Sequence, residues 1–129
     1  MITRDQQRAK WAYGKVTTLI SESKTTRDHY EHAVKNLGSH ILQSGLCAAL
    51  AELERIKDRG GQDVLKHLAD AGISHLKKPS VDNLHQQVQD LPDVDLYIQV
   101  TREVLHCAGW LKRAVQALFK GKNDRGEKE

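Results

Sequence analysis

Apolar residues recur at helical spacing through most of this chain. The longest such run is Asp93–Lys120. Tyr97, Val100, Val104, Ala108, Leu111, Val115 and Leu118 share one side of it, and Leu105, Cys107, Ala114 and Phe119 widen that stripe. The period predicts a helix with one buried face. At ~1.5 Å per residue it is ~40 Å long, enough to cross a small domain. Its opposite side reads Arg102, His106, Gly109, Arg113, Gln116 and Lys120, which is basic and polar.

The earlier segments follow the same rule. Thr3 and Gln6 make a capping box ahead of a helix that runs to about Ser23. Ala9, Ala12, Tyr13, Val16, Leu19 and Ile20 form its inner side. Thr26 is placed to cap a second helix over Arg27–Asn36, and Gly38-Ser39 reads as its end and the next cap. A third helix is expected over His40–Lys57, with Gly45 inside it at a cost of ~1 kcal/mol relative to Ala. Asp58-Arg-Gly-Gly61 reads as a stop. Short helices follow over Gln62–Ala71 and Val81–Leu91, the second capped by Ser80. No stretch alternates with a period of two for long enough to predict a strand. The pattern therefore predicts an all-α, single-domain helical bundle of about six helices, three long and the rest short. The domain spans residues 3–120, and residues 121–129 read as a polar flexible tail.

Composition narrows the class. The 129 residues are 39% hydrophobic and 29% charged, with only 5% aromatic, so the core rests on Leu, Ile, Val and Ala. Mean hydropathy is −0.60. No run of about eighteen apolar residues occurs, and no signal peptide is expected at the N-terminus. A cytoplasmic location follows. Cys47 and Cys107 each sit in an apolar helical run and read as reduced, buried thiols.

Seven histidines invite a metal test. His29 and His32 share a helix side, but only Asp28 and Glu31 are near enough in sequence to complete a ligand set. Glu-x-x-His occurs once, at Glu103–His106, where a carboxylate-bridged metal centre needs two; no P-loop or G-x-S-x-G is present, and no carboxylate pair stands out. The reading is no metal, no cofactor, no small-molecule substrate and no catalytic residue.

What remains is positive charge. The net charge is +3. Over residues 1–27, six Lys and Arg face two Asp and Glu. Arg4, Arg8 and Lys15 line one row of the first helix, with Lys10 beside them. Arg102, Arg113 and Lys120 line the last helix, with Lys112 beside them. If the two helices lie side by side, the rows merge into one patch able to follow phosphates. On charge alone a plain solvated face is the better account. Trp11 and Trp110 are open to core packing, a partner surface or base stacking.

Three segments carry a resemblance: Gln7–Tyr13, Leu37–Leu46 running on into Ala49–Leu53, and Trp110–Ala114. In this order and separation they resemble the small helical subunit of the type III-B CRISPR (Cmr) effector complex, over roughly Thr3–Phe119. The chain departs from the family at Leu37-Gly38, where Leu-Pro is usual, and at Ser44-Gly45, where Asn-Gly is usual.

The resemblance implies a noncatalytic subunit in antiviral defence, several copies of which stack as a minor filament. Its implied partners are guide RNA and target RNA, the backbone and large subunits, and copies of itself, with no membrane. Carried over by position, Arg8, Lys112 and Arg113 are the first candidate RNA contacts, and Lys15, Arg4 and Lys10 the next. Tyr13, Leu46 and Trp110 read as structural. The small subunit of another CRISPR effector class, or a helical adaptor without RNA contact, are the alternatives.

Overall fold

A computed structural model describes residues 2–56 and 58–127, with side chains as far as Phe119. It is all helical: α1 (Arg4–Thr17), α2 (Lys24–Ser44), α3 (Leu46–Arg55), α4 (Arg59–Ala69), α5 (Leu84–Gln89) and α6 (Val94–Glu127). There is no strand among the described residues. No helix there is long and apolar enough to cross a membrane. Lys120 and the expected tail lie outside the residues whose side chains are described.

Helix ends follow local chemistry. In α1 both arms of the capping box form: Thr3 Oγ1 accepts from the Gln6 N–H, and Gln6 Oε1 accepts from the Thr3 N–H. The helix stops at Thr17, short of Ser23. The Thr17 and Thr18 hydroxyls donate back to the Tyr13 and Lys15 carbonyls, each at 2.6 Å. Such hydroxyls compete with the helical ladder and end it early.

The expected break at Gly38 does not occur. Helix α2 is capped by Ser23 rather than Thr26, and it runs straight through Gly38. The break comes at Gly45, where φ is +93° and ψ 164°. Only glycine adopts that backbone without strain. The Gly45 N–H donates to the Ile41 carbonyl and closes α2, while its carbonyl accepts from the Ala49 N–H and opens α3. Having no side chain, it cannot cap α3. The Tyr97 hydroxyl reaches over from α6 and accepts from the Cys47 N–H at 3.1 Å instead.

Gly60 and Gly61 are likewise not a stop. Asp58 caps α4 by accepting from the Gly60 N–H, and both glycines sit in its first turn. A Cβ on Gly60 would strike the His29 carbonyl, and one on Gly61 the Leu53 carbonyl. The pair lets α4 press its backbone against α2 and α3.

Helix α2 is the hub, packing on α3, α4 and α6. Helix α1 packs on α6, and α5 on α3. Tyr30, Leu46, Leu50, Leu65, Leu68, Leu84, Leu111 and Phe119 are fully buried between them. Each contributes about 1.5–3 kcal/mol by leaving water. The expected inner stripe of α6 is buried at Val100, Val104, Ala108, Leu111 and Val115. Tyr13 was expected inside, but it is 36% exposed.

Candidate nucleic-acid interface

The two basic rows belong to helices that do lie side by side, yet the contact between them uses up the cation at its centre. Arg8 is only 6% exposed. Its Nη2 donates to Glu103 Oε1 at 2.9 Å and its Nη1 to Cys107 Sγ at 2.7 Å. Glu103 Oε1 also accepts from the Ser74 N–H at 3.2 Å, tying in the connector after α4. A guanidinium can enter this seam because its charge is matched and several of its N–H groups are satisfied there. Burial pushes the Cys107 thiol up to about 11, outweighing the pull of Arg8, so it stays protonated. Arg8 therefore stands inside the fold and not on the surface expected to meet RNA.

The other α1 cations scatter. Arg4 is exposed and leans toward Glu103, 3.9 Å away. Lys15 pairs with Asp70 at 3.0 Å. Lys10 is exposed and has no acidic partner among the described residues.

On α6 the cations are freer. Lys112 is exposed, lines a groove with Lys35 on the α2 side, and has no acidic partner among the described residues. Arg113 is exposed and lies over the Trp110 ring, 5.0 Å from its centroid. Trp110 is half-buried against the core and serves as its platform. Thus Lys112 and Arg113 share the open side of α6, while Arg8 and Glu103 occupy its seam with α1. The structure does not gather all six candidates into one patch.

Glu103 was not singled out from the sequence. Its signal was a lone acid beside Val104 and one turn before Cys107, on the flank of the apolar stripe. A second buried polar pair also went unread. Tyr30 hydroxyl and His67 Nδ1 lie 2.7 Å apart. Burial lowers His67 to about 4 and raises Tyr30, so the phenol donates to a neutral imidazole.

Among the described residues, no three His, Cys, Asp or Glu come together to hold a metal. Trp11 is half-buried against the core, beside Arg4 and the Ala71-Gly72 turn.

Known proteins share this fold. Residues 4–118 match the family described as CRISPR-associated protein (Cas_Cmr5). A Thermotoga maritima protein named CRISPR system Cmr subunit Cmr5 is 34% identical over 109 residues, covering 82% of this chain and 80% of that one. The crystal structure of a CRISPR-associated Cmr5 family protein from Thermus thermophilus superposes with a TM-score of 0.79 at 30% identity. It covers 92% of this chain and 98% of that one. The resemblance carried by the three sequence segments holds along almost the whole fold, and the chain belongs to the Cmr5 family.

Proposed function

We propose that the protein is the noncatalytic small subunit of a type III-B Cmr ribonucleoprotein, working in the cytoplasm in antiviral defence. Family membership over residues 4–118 carries this reading. In it, several copies stack as a minor filament beside the backbone subunits and contact guide and target RNA. The RNA surface is the open side of α6, led by Lys112 and Arg113; the exposed Lys10 and Arg4 of α1 are secondary contacts apart from it. Two exposed cations one residue apart on a rigid helix suit phosphate contact, which needs charge and position but no base readout. Arg8 acts through the seam, by holding α1 against α6, and Lys15 acts through its pair with Asp70.

Filter binding of the chain to RNA across a salt series tests the surface. Lys112→Glu with Arg113→Glu should weaken binding and make the slope of log affinity against log salt shallower by about one to two, since each lost phosphate contact removes about 0.7–0.9. An unchanged slope sinks the assignment. Co-purification of the tagged chain with guide RNA and backbone subunits tests the assembly. Their absence favours an adaptor without RNA contact.

A further inference from the structure

A cavity of about 240 Å³ lies between α1 and the turn after α4. Arg4, Gln7, Arg8 and Trp11 line it from one side of α1, where spacings of three and four bring them into a row. Ala71 and Gly72 form the opposite wall and bring almost no side chain to it. A Cβ on Gly72 would meet nothing within 4 Å. The hollow is thus walled by two guanidiniums, a carboxamide and an indole, and no acid lines it among the described residues.

The acids nearby are already engaged. Asp5 Oδ1 lies 2.7 Å from His106 Nε2, and Asp70 Oδ2 accepts from Lys15 at 3.0 Å. Glu103 Oε1 accepts from Arg8 and from the Ser74 N–H. Arg8 commits three of its five N–H groups to Glu103 and Cys107. It keeps its place in the seam and still floors the cavity, with Nε and one Nη2 hydrogen lacking an acceptor among the described residues. Arg4 is exposed and reaches Glu103 only at 3.9 Å. Trp11 is half-buried, and its Nε1 has no acceptor among the described residues. Buried donors rarely stay unpaired.

These groups select the chemistry of a ligand. Guanidinium forks match phosphate oxygens, and an indole beside them suits a base ring. At about 30 Å³ per water the cavity has room for about eight, well beyond a bare phosphate. It falls just below the ~300–1,000 Å³ of sites that take larger ligands. We propose that this cavity binds one nucleoside monophosphate unit, its phosphate on Arg4 above the charge of Arg8 and its base against Trp11. Two sources carry that chemistry: a free mononucleotide and the phosphorylated end of an RNA strand. Arg4 is a phosphate contact in either case, and the open side of α6 stays free for Lys112 and Arg113.

Trp11 and Trp110 are the only tryptophans, so Trp110→Phe leaves an emission that reports on the cavity alone. Titrating that full-length variant with AMP at low salt should give a saturable change in emission, with Kd between about 0.1 and 3 mM. Adenosine, which lacks the phosphate, should bind at least about tenfold more weakly. In the same background Arg4→Gln should weaken AMP at least about threefold. Ala71→Met fills the wall without removing a polar group and should abolish the change. A 5′-phosphorylated RNA hexamer separates the sources. A change that Ala71→Met removes, seen with AMP alone, assigns a free nucleotide; seen with the hexamer, it assigns a strand end. Circular dichroism checks that each variant stays folded. The proposal is overturned if neither ligand gives a change that folded Ala71→Met removes, if adenosine binds as tightly as AMP, or if Arg4→Gln binds like its parent. Lys112→Glu with Arg113→Glu should leave cavity binding within about twofold, so the α6 surface stands or falls separately.

Discussion

Arg8 and Arg113 show how two arginines on amphipathic helices come to opposite ends. Both sit on helices with a buried stripe, and both look outward-facing on a helical projection. Arg8 lies where α1 meets α6 and is enclosed by Glu103 and Cys107. Arg113 lies where α6 meets solvent and rests on Trp110. The first is committed to holding two helices together. The second keeps its charge available. A cation on a helix thus takes its role from what the neighbouring helix brings to it.

The sharpest way to break this contrast is to remove Arg8. Arg8→Ala leaves the Glu103 carboxylate, 12% exposed, without its main partner. Losing one half of a buried pair costs about 3–5 kcal/mol. Chemical denaturation should show a drop of that order. A loss under about 1 kcal/mol would mean that the seam does not depend on this pair.

The next effect concerns the other buried polar pair. His67 has a folded value of about 4 against 6.5 for the free side chain. The unfolded chain binds a proton near pH 6.5 that the folded chain resists until about 4. The His67 contribution is therefore full above pH 6.5 and is lost as pH falls toward 4, by about 3 kcal/mol. Denaturation at pH 7, 5.5 and 4.5 reads this. His67→Gln keeps an acceptor for the Tyr30 hydroxyl and should flatten the decline. An equal decline in that variant would assign the pH dependence elsewhere.

The smallest effects are expected outside. Lys15→Ala breaks a half-exposed pair with Asp70 and should cost under about 1 kcal/mol. Lys112→Ala touches no partner among the described residues and should stay within about 0.5 kcal/mol. A large loss from Lys112→Ala would move it into the same class as Arg8 and weaken its case as an RNA contact.

These effects also decide how RNA binding should be probed. A variant carrying Arg8→Glu confounds unfolding with lost contact, whereas Lys112→Glu and Arg113→Glu leave the seam intact.

Much of the fold was legible beforehand because burial acts along one helix at a time. The inner stripe of α6 and the Thr3 capping box needed only spacing and side-chain chemistry. Glycine was less legible. Gly38, Gly45, Gly60 and Gly61 look alike in sequence. Yet Gly38 lies within a continuous helix, Gly45 takes a positive φ, and the last two admit a close helix crossing. Which of these a glycine does depends on the backbone that approaches it.

Periodicity, capping chemistry and motif order thus determined by themselves that the chain is all-α, roughly where its helices lie, and which family it resembles. Those properties are local or carried by short segments. Only the tertiary structure decided that Arg8 is buried, that Glu103 claims it, that Tyr97 caps α3, and that Lys112 and Arg113 remain open. Each depends on a partner far away in the chain. The charge and hydrogen-bonding capacity of a side chain are written in its identity, but whether they are spent inside the fold depends on which surface is pressed against them.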